Sequence, residues 1–470
     1  MSLAIYLATL SRDVGIGDSA ELSLQAFKLG VTHPPGYPVH TVLGKVCGLL
    51  IADPALATNV LSALCMSIAV GLLGAIALRL ARHSYAAVAG ALIFAFVPTV
   101  WTAAVTTEVY GVNICIVAGA LLLTLRWRDR PTHLSLCGIA VLLGVSLGSG
   151  LANVLLIPGF AILIREGARR KARELLLAGS LFAVTACAVM SWSWMRCEAN
   201  PPLGSAYLPN TLAGFIAYVS GAQYTTLSIQ PLDFYASRLV EHTTYWGASL
   251  MWLGVILGFI GFVWHWRRQR VICVSLLVMF AANLGYFTFY PWIDYSEMVV
   301  PAYFVFAIWM ACGIRAVEAE RTSRTARMVS VIISVTVVVG VLTSGVRTYR
   351  ERGGDKPVTQ FVRATFELVP PDAVLIAHWY DFTPLVFFQE TQGMRPDLTI
   401  VECCYGIRHY QWGKVRDWRE FARKSAAARP IVIDEIGAQT FDMNMVTAIG
   451  PGWYRGRDWY RVDPAGLHAR

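Results

Sequence analysis

Two carboxylates open the most chemically loaded stretch of this chain, GIGDSAELSLQAFKLGVTHPPGYPVHTVLGK at residues 15–45. Asp18 and Glu21 stand three residues apart at the head of an amphipathic piece. That spacing fits a capping box, in which Asp18 accepts from the first free N–H groups of a helix and Glu21 reaches back. It fits a catalytic acid or base as well, and spacing alone leaves both open. The segment then runs through Lys28 into His33, Pro34, Pro35, Gly36, Tyr37 and Pro38. Three prolines within five residues remove backbone donors and stiffen the turn. A rigid elbow carrying a histidine and a tyrosine is more than a connector requires.

The elements that must hold this elbow belong in lipid. Of 470 residues, 56% are hydrophobic and 15% charged, where a soluble protein has about a quarter charged. The charge is uneven, since 31 of the 69 Asp, Glu, Lys and Arg lie in residues 350–470. The chain therefore divides into a membrane body, 1–349, and a water-soluble tail, 350–470, and a disordered chain is excluded. A span needs about 20 mostly apolar residues. Ten stretches qualify: 57–78, 85–104, 107–125, 133–149, 150–164, 174–195, 246–264, 271–290, 298–314 and 328–346. Gly148, Ser149 and Gly150 split 133–164 into two short spans rather than one long helix. The opening MSLAIYLATL is apolar but too short to cross, and reads as the end of an incomplete first helix, giving about eleven spans in all. A cleaved signal peptide would carry a basic leading region, which is missing here.

The short connections fix an orientation. Residues 79–84, 126–132, 165–173, 265–270 and 315–327 together hold 17 Lys and Arg, among them Arg169, Arg170 and Lys171. By the positive-inside rule this face is cytoplasmic. The opposite face, with a first loop at 11–56 and a long loop at 196–245, is rich in acids: Asp18, Glu108, Asp233, Asp294 and Glu297 lie there. The tail follows on the same outer side, with 16 basic and 15 acidic residues. The net charge of +9 is thus mainly a topogenic signal, and a nucleic-acid partner loses its support. The ten cysteines show no CxxC or zinc spacing, and the adjacent pair Cys403 and Cys404 is a poor disulfide.

Within the tail, amphipathic pieces alternate with the short apolar runs AVLIAH (373–378), LTIVECC (398–404) and PIVIDEI (430–436). This predicts a small α/β domain with a largely parallel sheet. It has no phosphate loop, HExxH or GxSxG, so an accessory binding or stabilising domain is favoured over a second catalytic one.

GDSAEL followed by KLGVTHPPGYPVHTVLGK resembles the amino-terminal signature of the DUF2723 family, bacterial relatives of the transmembrane protein 260 O-mannosyltransferases, in glycosyltransferase family 117. The likeness continues in TEVYGVN (107–113), NPPLGSAYLPNTLAGFIAYVSGAQY (200–224), YPWIDYSEMVVPAYFVFAIWMACG (290–313) and LVPPDAVLIAHWYDFTPLVFFQETQGMRPDLTIV (368–401). Two positions depart from the family pattern: Ala20 stands where members often have Gly, and Gly150 where they often carry a His.

The resemblance implies a GT-C fold and transfer of a sugar from a polyprenyl-phosphate donor to an acceptor hydroxyl of a protein, glycan or lipid outside the cytoplasmic (inner) membrane. Protein O-mannosylation is the version its eukaryotic members suggest. The family's acidic residue lies in the first external loop, where the positive-inside argument independently puts Asp18. An acceptor hydroxyl is a weak nucleophile until a positioned base takes its proton, and the phosphate leaving group needs a cation or donors. One base and one electropositive pocket suffice, in an inverting displacement, where a hydrolase uses two carboxylates. Asp18 is the expected base, with Glu21 as orienter or alternative. Arg238 and His242 are the leading phosphate ligands, followed by Lys28 and His33. Tyr37, Tyr224, Trp292, Asp294, Tyr295 and Glu297 suit contacts to sugar or acceptor. A divalent cation between Asp18, Asp294 and Glu297 is compatible with the spacing without being demanded by it. The competing expectation is a transporter or flippase, which should carry ionisable groups at mid-membrane and show repeats; this chain shows neither.

Overall fold

The computed structural model describes residues 1–167, 172–198, 211–222, 231–290, 295–319, 324–352, 358–402, 422, 424–425, 428–435, 446–451 and 458–462. Three short helices come first: α1 (Ser2–Ala8), α2 (Asp18–Lys28) and α3 (Pro38–Gly48). The helical body follows with α4 (Pro54–Ala81), α5 (Ser84–Phe96), α6 (Pro98–Val105), α7 (Tyr110–Asp129), α8 (His133–Leu147), a 3-10 turn at Leu151–Leu156, α9 (Ile157–Gly167), α10 (Ala172–Glu198), α11 (Leu212–Val219), α12 (Leu232–Arg268), α13 (Arg270–Thr288), α14 (Tyr295–Met298), α15 (Val300–Ala319) and α16 (Arg324–Arg352). Among the described residues seven helices are long and apolar enough to cross a membrane, eight if α5 and α6 form one span. The polytopic helical class stands, with fewer full-length spans than the ten expected.

The differences have local causes. The expected span 85–104 bends by 67° between α5 and α6, because Pro98 offers no N–H and crowds the preceding turn. The break at Gly148 to Gly150 is where the sequence put it, but α8 and α9 on either side have only 15 and 11 residues. Among the described residues of the long loop expected at 196–245, most are helical. α10 runs on to Glu198, and α12 begins at Leu232, since nothing in LDFYASRLVEHTTYW breaks a helix. Arg238 and His242 therefore stand on a helix, not on a loop. The boundary at 349 likewise falls inside α16.

α12 and α15 pack through small residues. A Cβ on Gly261 would collide with the Trp309 carbonyl oxygen, and one on Gly313 with that of Leu257. Such contacts let helix backbones approach without hydrophobic help from lipid. Above them Trp246 stacks on Tyr303 at 4.2 Å.

The tail begins with α17 (Val358–Leu368) and then builds β1 (Val374–Ala377), α18 (Trp379–Gln392), β2 (Thr399–Glu402), β3 (Ile431–Asp434), β4 (Val446–Pro451) and β5 (Asp458–Val462). Strand order is β2-β1-β3-β5-β4. β1 pairs in parallel with β2 and β3, as expected, while β5 runs antiparallel to β3 and β4. β1 and β3 are buried throughout, and Phe361, Phe366, Phe382 and Leu385 fill the space between sheet and helices.

Tail and body share one core: Val14, Ala20 and Leu24 of the body cluster with the phenylalanines of the tail. Asp13 accepts from the Thr359 amide (3.0 Å) and hydroxyl (2.7 Å). α18 lies along α2 in the same direction, with Thr383 donating to the Gly17 carbonyl (2.8 Å) and Glu390 pairing with Lys28 (3.2 Å).

Replacing Gly261 by Ala should lower the thermal midpoint in detergent by several degrees, since overpacking costs about 1–3 kcal/mol. An unchanged midpoint would refute the close packing of α12 and α15.

Candidate active site

α2 starts abruptly. Gly17 takes φ 58°, ψ −127°, a conformation open to glycine alone, and a Cβ there would strike the Tyr380 ring at 2.9 Å. The helix is then pinned by hydroxyls. Ser19 donates to the Thr107 carbonyl (2.6 Å), Ser23 bonds the Thr58 hydroxyl (2.8 Å), Thr58 bonds the Thr107 hydroxyl (2.7 Å), and Thr107 donates to the Asn59 side chain (2.6 Å). These buried bonds tie α2 to α4 and to the turn before α7. At the far end Arg196 of α10 donates to the Leu29 carbonyl (2.5 Å), meeting an acceptor the helix leaves open.

The elbow folds back over α2. Tyr37 donates its amide to the Thr32 hydroxyl (3.0 Å), and the buried Tyr218 of α11 donates to the Thr32 carbonyl (2.7 Å). Gly36 adopts φ 86°, and a Cβ there would lie 2.5 Å from the Tyr218 oxygen. This geometry delivers His33 to the two acids. The Glu21 carboxylate, 1% exposed, accepts from the His33 amide at 2.7 Å and from ring Nδ1 at 2.5 Å. Ring Nε2 faces Asp18 Oδ2 at 3.6 Å. The indole N–H of Trp379 donates to Asp18 Oδ1 at 2.8 Å, and the His33 ring meets Tyr37 and Trp379 edge-on at 5.3 and 6.1 Å.

No capping box forms. The N-cap is Gly17 and makes no side-chain cap bond; Asp18 and Glu21 turn to His33 instead. Burial works against charge on His33, yet Glu21 and then Asp18 outweigh it and raise the imidazole to about 9. Burial pushes the Glu21 carboxyl up and His33 pulls it back. With both Glu21 oxygens accepting from His33, the shared proton belongs to the imidazole. The trio then carries net −1, a charge that repels a phosphate.

Asp18 therefore differs from its neighbours. Glu21 is sealed, whereas the Asp18 side chain is 49% exposed and can meet a substrate. Asp18, Tyr37, Glu108 and Glu297 all act electrostatically on Tyr110, the first residue of α7, so the turn before α7 and α14 border the same space. Beneath it Asn153 donates to the Asn113 side-chain oxygen (2.5 Å) and to the Ser146 carbonyl (2.8 Å). A Cβ on Gly150 would come 3.1 Å from Asn113, so a larger side chain there would have to displace this neutral network.

Of the expected residues, Asp18, Glu21, His33, Tyr37 and Glu297 converge. Lys28 does not: it lies about 15 Å along α2 at a rise of about 1.5 Å per residue and pairs with Glu390. Arg238 pairs with Glu241 (3.2 Å) and lies over the Phe234 ring, and His242, one turn on, is buried. Tyr224, Trp292 and Asp294 lie outside the described residues, and Tyr295 is described by its backbone alone. Trp379, Tyr110 and Glu108 join the site without having been singled out for it. Their sequence signal lies in the blocks TEVYGVN and HWYDF, with Glu108 also among the acids of the outer face.

Ligand atoms of Asp18, Glu21 and His33 lie within 4.8 Å of one another, a spacing a cation could use. The donor set fits poorly, because Glu21 spends both oxygens on His33 and Nε2 is free to ligate only once the imidazole loses its proton.

The model of the Protein O-mannosyl-transferase TMEM260 N-terminal domain matches residues 18–173, opening on Asp18 itself. The mouse Protein O-mannosyl-transferase TMEM260 is 23% identical over 452 residues, covering 87% of this chain and 62% of that protein. The Dictyostelium discoideum protein of that name is 24% identical over 317 residues, covering 61% of this chain and 38% of its own length. This chain thus spans under two thirds of either relative. ArnT from Cupriavidus metallidurans, solved bound to undecaprenyl phosphate, superposes with a TM-score of 0.59 over 98% of this chain and 96% of its own, at 12% identity. Its apo structure gives 0.58 at 10% identity, over 100% and 97%. The resemblance to the TMEM260 family read from the residues holds, and the fold is GT-C-like.

The imidazole is raised in the folded protein, so its contribution to stability is full below about pH 6.5 and is lost as pH rises through about 9. The thermal midpoint should therefore fall between pH 7 and 10, and His33→Gln should flatten that fall. An equal slope in both proteins would refute the pairing.

Proposed function

We propose that this chain is a membrane glycosyltransferase that moves a sugar from a polyprenyl-phosphate-linked donor to an acceptor hydroxyl, with Asp18 as the base. The observation that carries the reading is the half-exposed Asp18 carboxylate, held at one oxygen by Trp379 and facing the His33 imidazolium with the other. Mannose as the sugar and a protein hydroxyl as acceptor follow the names of the relatives; glycan and lipid acceptors fit the same chemistry. The undecaprenyl phosphate in the ArnT structure supports a polyprenyl carrier.

Asp18 takes the acceptor proton as the new C–O bond forms on one face of the sugar's anomeric carbon. The bond to phosphate breaks on the opposite face, so the configuration inverts. Glu21 reaches no substrate; it fixes the imidazole, and His33 faces the Asp18 oxygen that receives the proton. Arg238 and His242 remain the proposed partners of the departing phosphate. Tyr37 and Glu297 border the space for sugar and acceptor, and Tyr224, Trp292, Asp294 and Tyr295 are proposed beside them. No step is routed through a cation, given how His33 occupies Glu21.

The site and the tail touch, so they share one side of the membrane. With the basic connections read as cytoplasmic, the proposed side is the outer one, and the proposed membrane is the cytoplasmic membrane.

With synthetic polyprenyl phosphomannose and a panel of Ser- and Thr-containing peptides, Asp18→Asn should cut transfer by about 10²–10⁴-fold while leaving the thermal midpoint within a few degrees. Normal transfer by that variant would remove Asp18 from the mechanism. Reporter fusions should place residue 130 inside and residue 393 outside; a cytoplasmic tail would sink both the topology and the site.

A further inference from the structure

We infer that the C-terminal domain completes the active site, with Trp379 as the positioning residue that holds the Asp18 carboxylate for proton abstraction. This rests on the reading of Asp18 as the base and extends it to a residue 361 positions away in the chain.

The tail's sheet explains why the tryptophan stands there. β1 is flanked by β2 on one side and β3 on the other; the connection from the carboxyl end of β1 leads through α18 to β2, while the chain leaving β3 goes on to β4 on the opposite side. Such a switch point opens a crevice beyond the strand ends, where α/β domains place their functional side chains. His378 follows β1 directly, and its amide donates to the Asp434 carboxylate at the end of β3 (2.7 Å). That bond fixes the bend from strand into α18, and the next residue is Trp379. One ring face is covered by Phe382, stacked at 6.4 Å and 18°, and His33 packs edge-on against the indole.

The register between the two helices is set elsewhere. Thr359 on Asp13, Thr383 on the Gly17 carbonyl and Glu390 on Lys28 dock the tail along the length of α2. The indole bond is not needed for that docking. A half-exposed carboxylate deprived of the indole would find water, so the bond adds little net stability. It does fix the direction in which the carboxylate points, and catalysis is sensitive to this: a displacement of about 1 Å can cost about a hundredfold. With Oδ1 engaged, Oδ2 is the oxygen left to accept the hydroxyl proton.

The test compares Trp379→Phe, which keeps a ring and loses the N–H, with Thr359→Val, which weakens docking away from the carboxylate. The donor is polyprenyl phosphomannose and the acceptor a Ser- and Thr-containing peptide. Trp379→Phe should lower kcat about 10- to 50-fold, leave the acceptor KM within about twofold, and move the acidic limb of the pH–rate profile to higher pH, because a carboxylate that loses a donor protonates more readily. Thr359→Val should lower the thermal midpoint and leave that limb in place.

Wild-type kcat and pH profile in Trp379→Phe would overturn the inference. So would a loss confined to acceptor KM, or equal losses in both variants with the limb unmoved. Asp18→Asn, assayed alongside, separates the two levels: if it is active the assignment of the base fails, and if it is inactive while Trp379→Phe is normal the positioning role alone fails.

Discussion

A buried carboxylate must be neutralised, and at Glu21 a single residue does it twice. Backbone and ring of His33 both donate to Glu21, so the elbow cannot leave α2 without stranding a charge in an apolar setting, which costs several kcal/mol. The other features around the site serve this constraint. The prolines and Gly36 shape the elbow so that residue 33 arrives from above. The hydroxyl network under Ser19 and Ser23 keeps α2 from sliding. Tyr218 closes the far side. Asp18 is then the member of the trio with solvent on one side, and the proposal of Asp18 as the base rests on that inequality of burial.

Much of this is legible in the sequence. Local chemistry reads well where it is local: the glycine break after α8, the three parallel strands and the acid pair beside a stiff elbow all come from short patterns. What failed had one cause, the dependence of a side chain on distant partners. Asp18 and Glu21 have the spacing of a capping box, yet the contest between capping and pairing was decided by His33, twelve residues beyond Glu21. The pairing of Lys28 with Glu390 and of Arg238 with Glu241 could not be assigned from sequence either. Trp379 sits in a block with no motif, and only the strand order of the tail shows why it faces the membrane body. The early start of α12 is hidden in the sequence because its first turns are polar enough to pass for a loop, while helix formation asks only that nothing break it.

The membrane body separates two tasks that soluble enzymes often merge. Long helices packed through glycine, as in α12 and α15, supply a scaffold whose interior is neutral; even the Asn113 and Asn153 network carries no charge. Ionisable groups gather at the two faces, the basic connections with pairs such as Arg128 and Glu166 on one and the acids of the elbow, beside the tail, on the other. Reactivity is thus confined to the boundary, with lipid excluded from the acids and the acids excluded from lipid.

One feature reaches beyond the folded state. The contact between Trp379 and Asp18 joins residues 361 apart, and the whole helical bundle lies between them in the chain. During synthesis α2 is made long before α18. The indole that orients Asp18 appears only after α16 has been inserted and the sheet of the tail has closed around β3. A chain that has not yet made α18 therefore has Asp18 without its indole partner, and that contact waits on the folding of the tail.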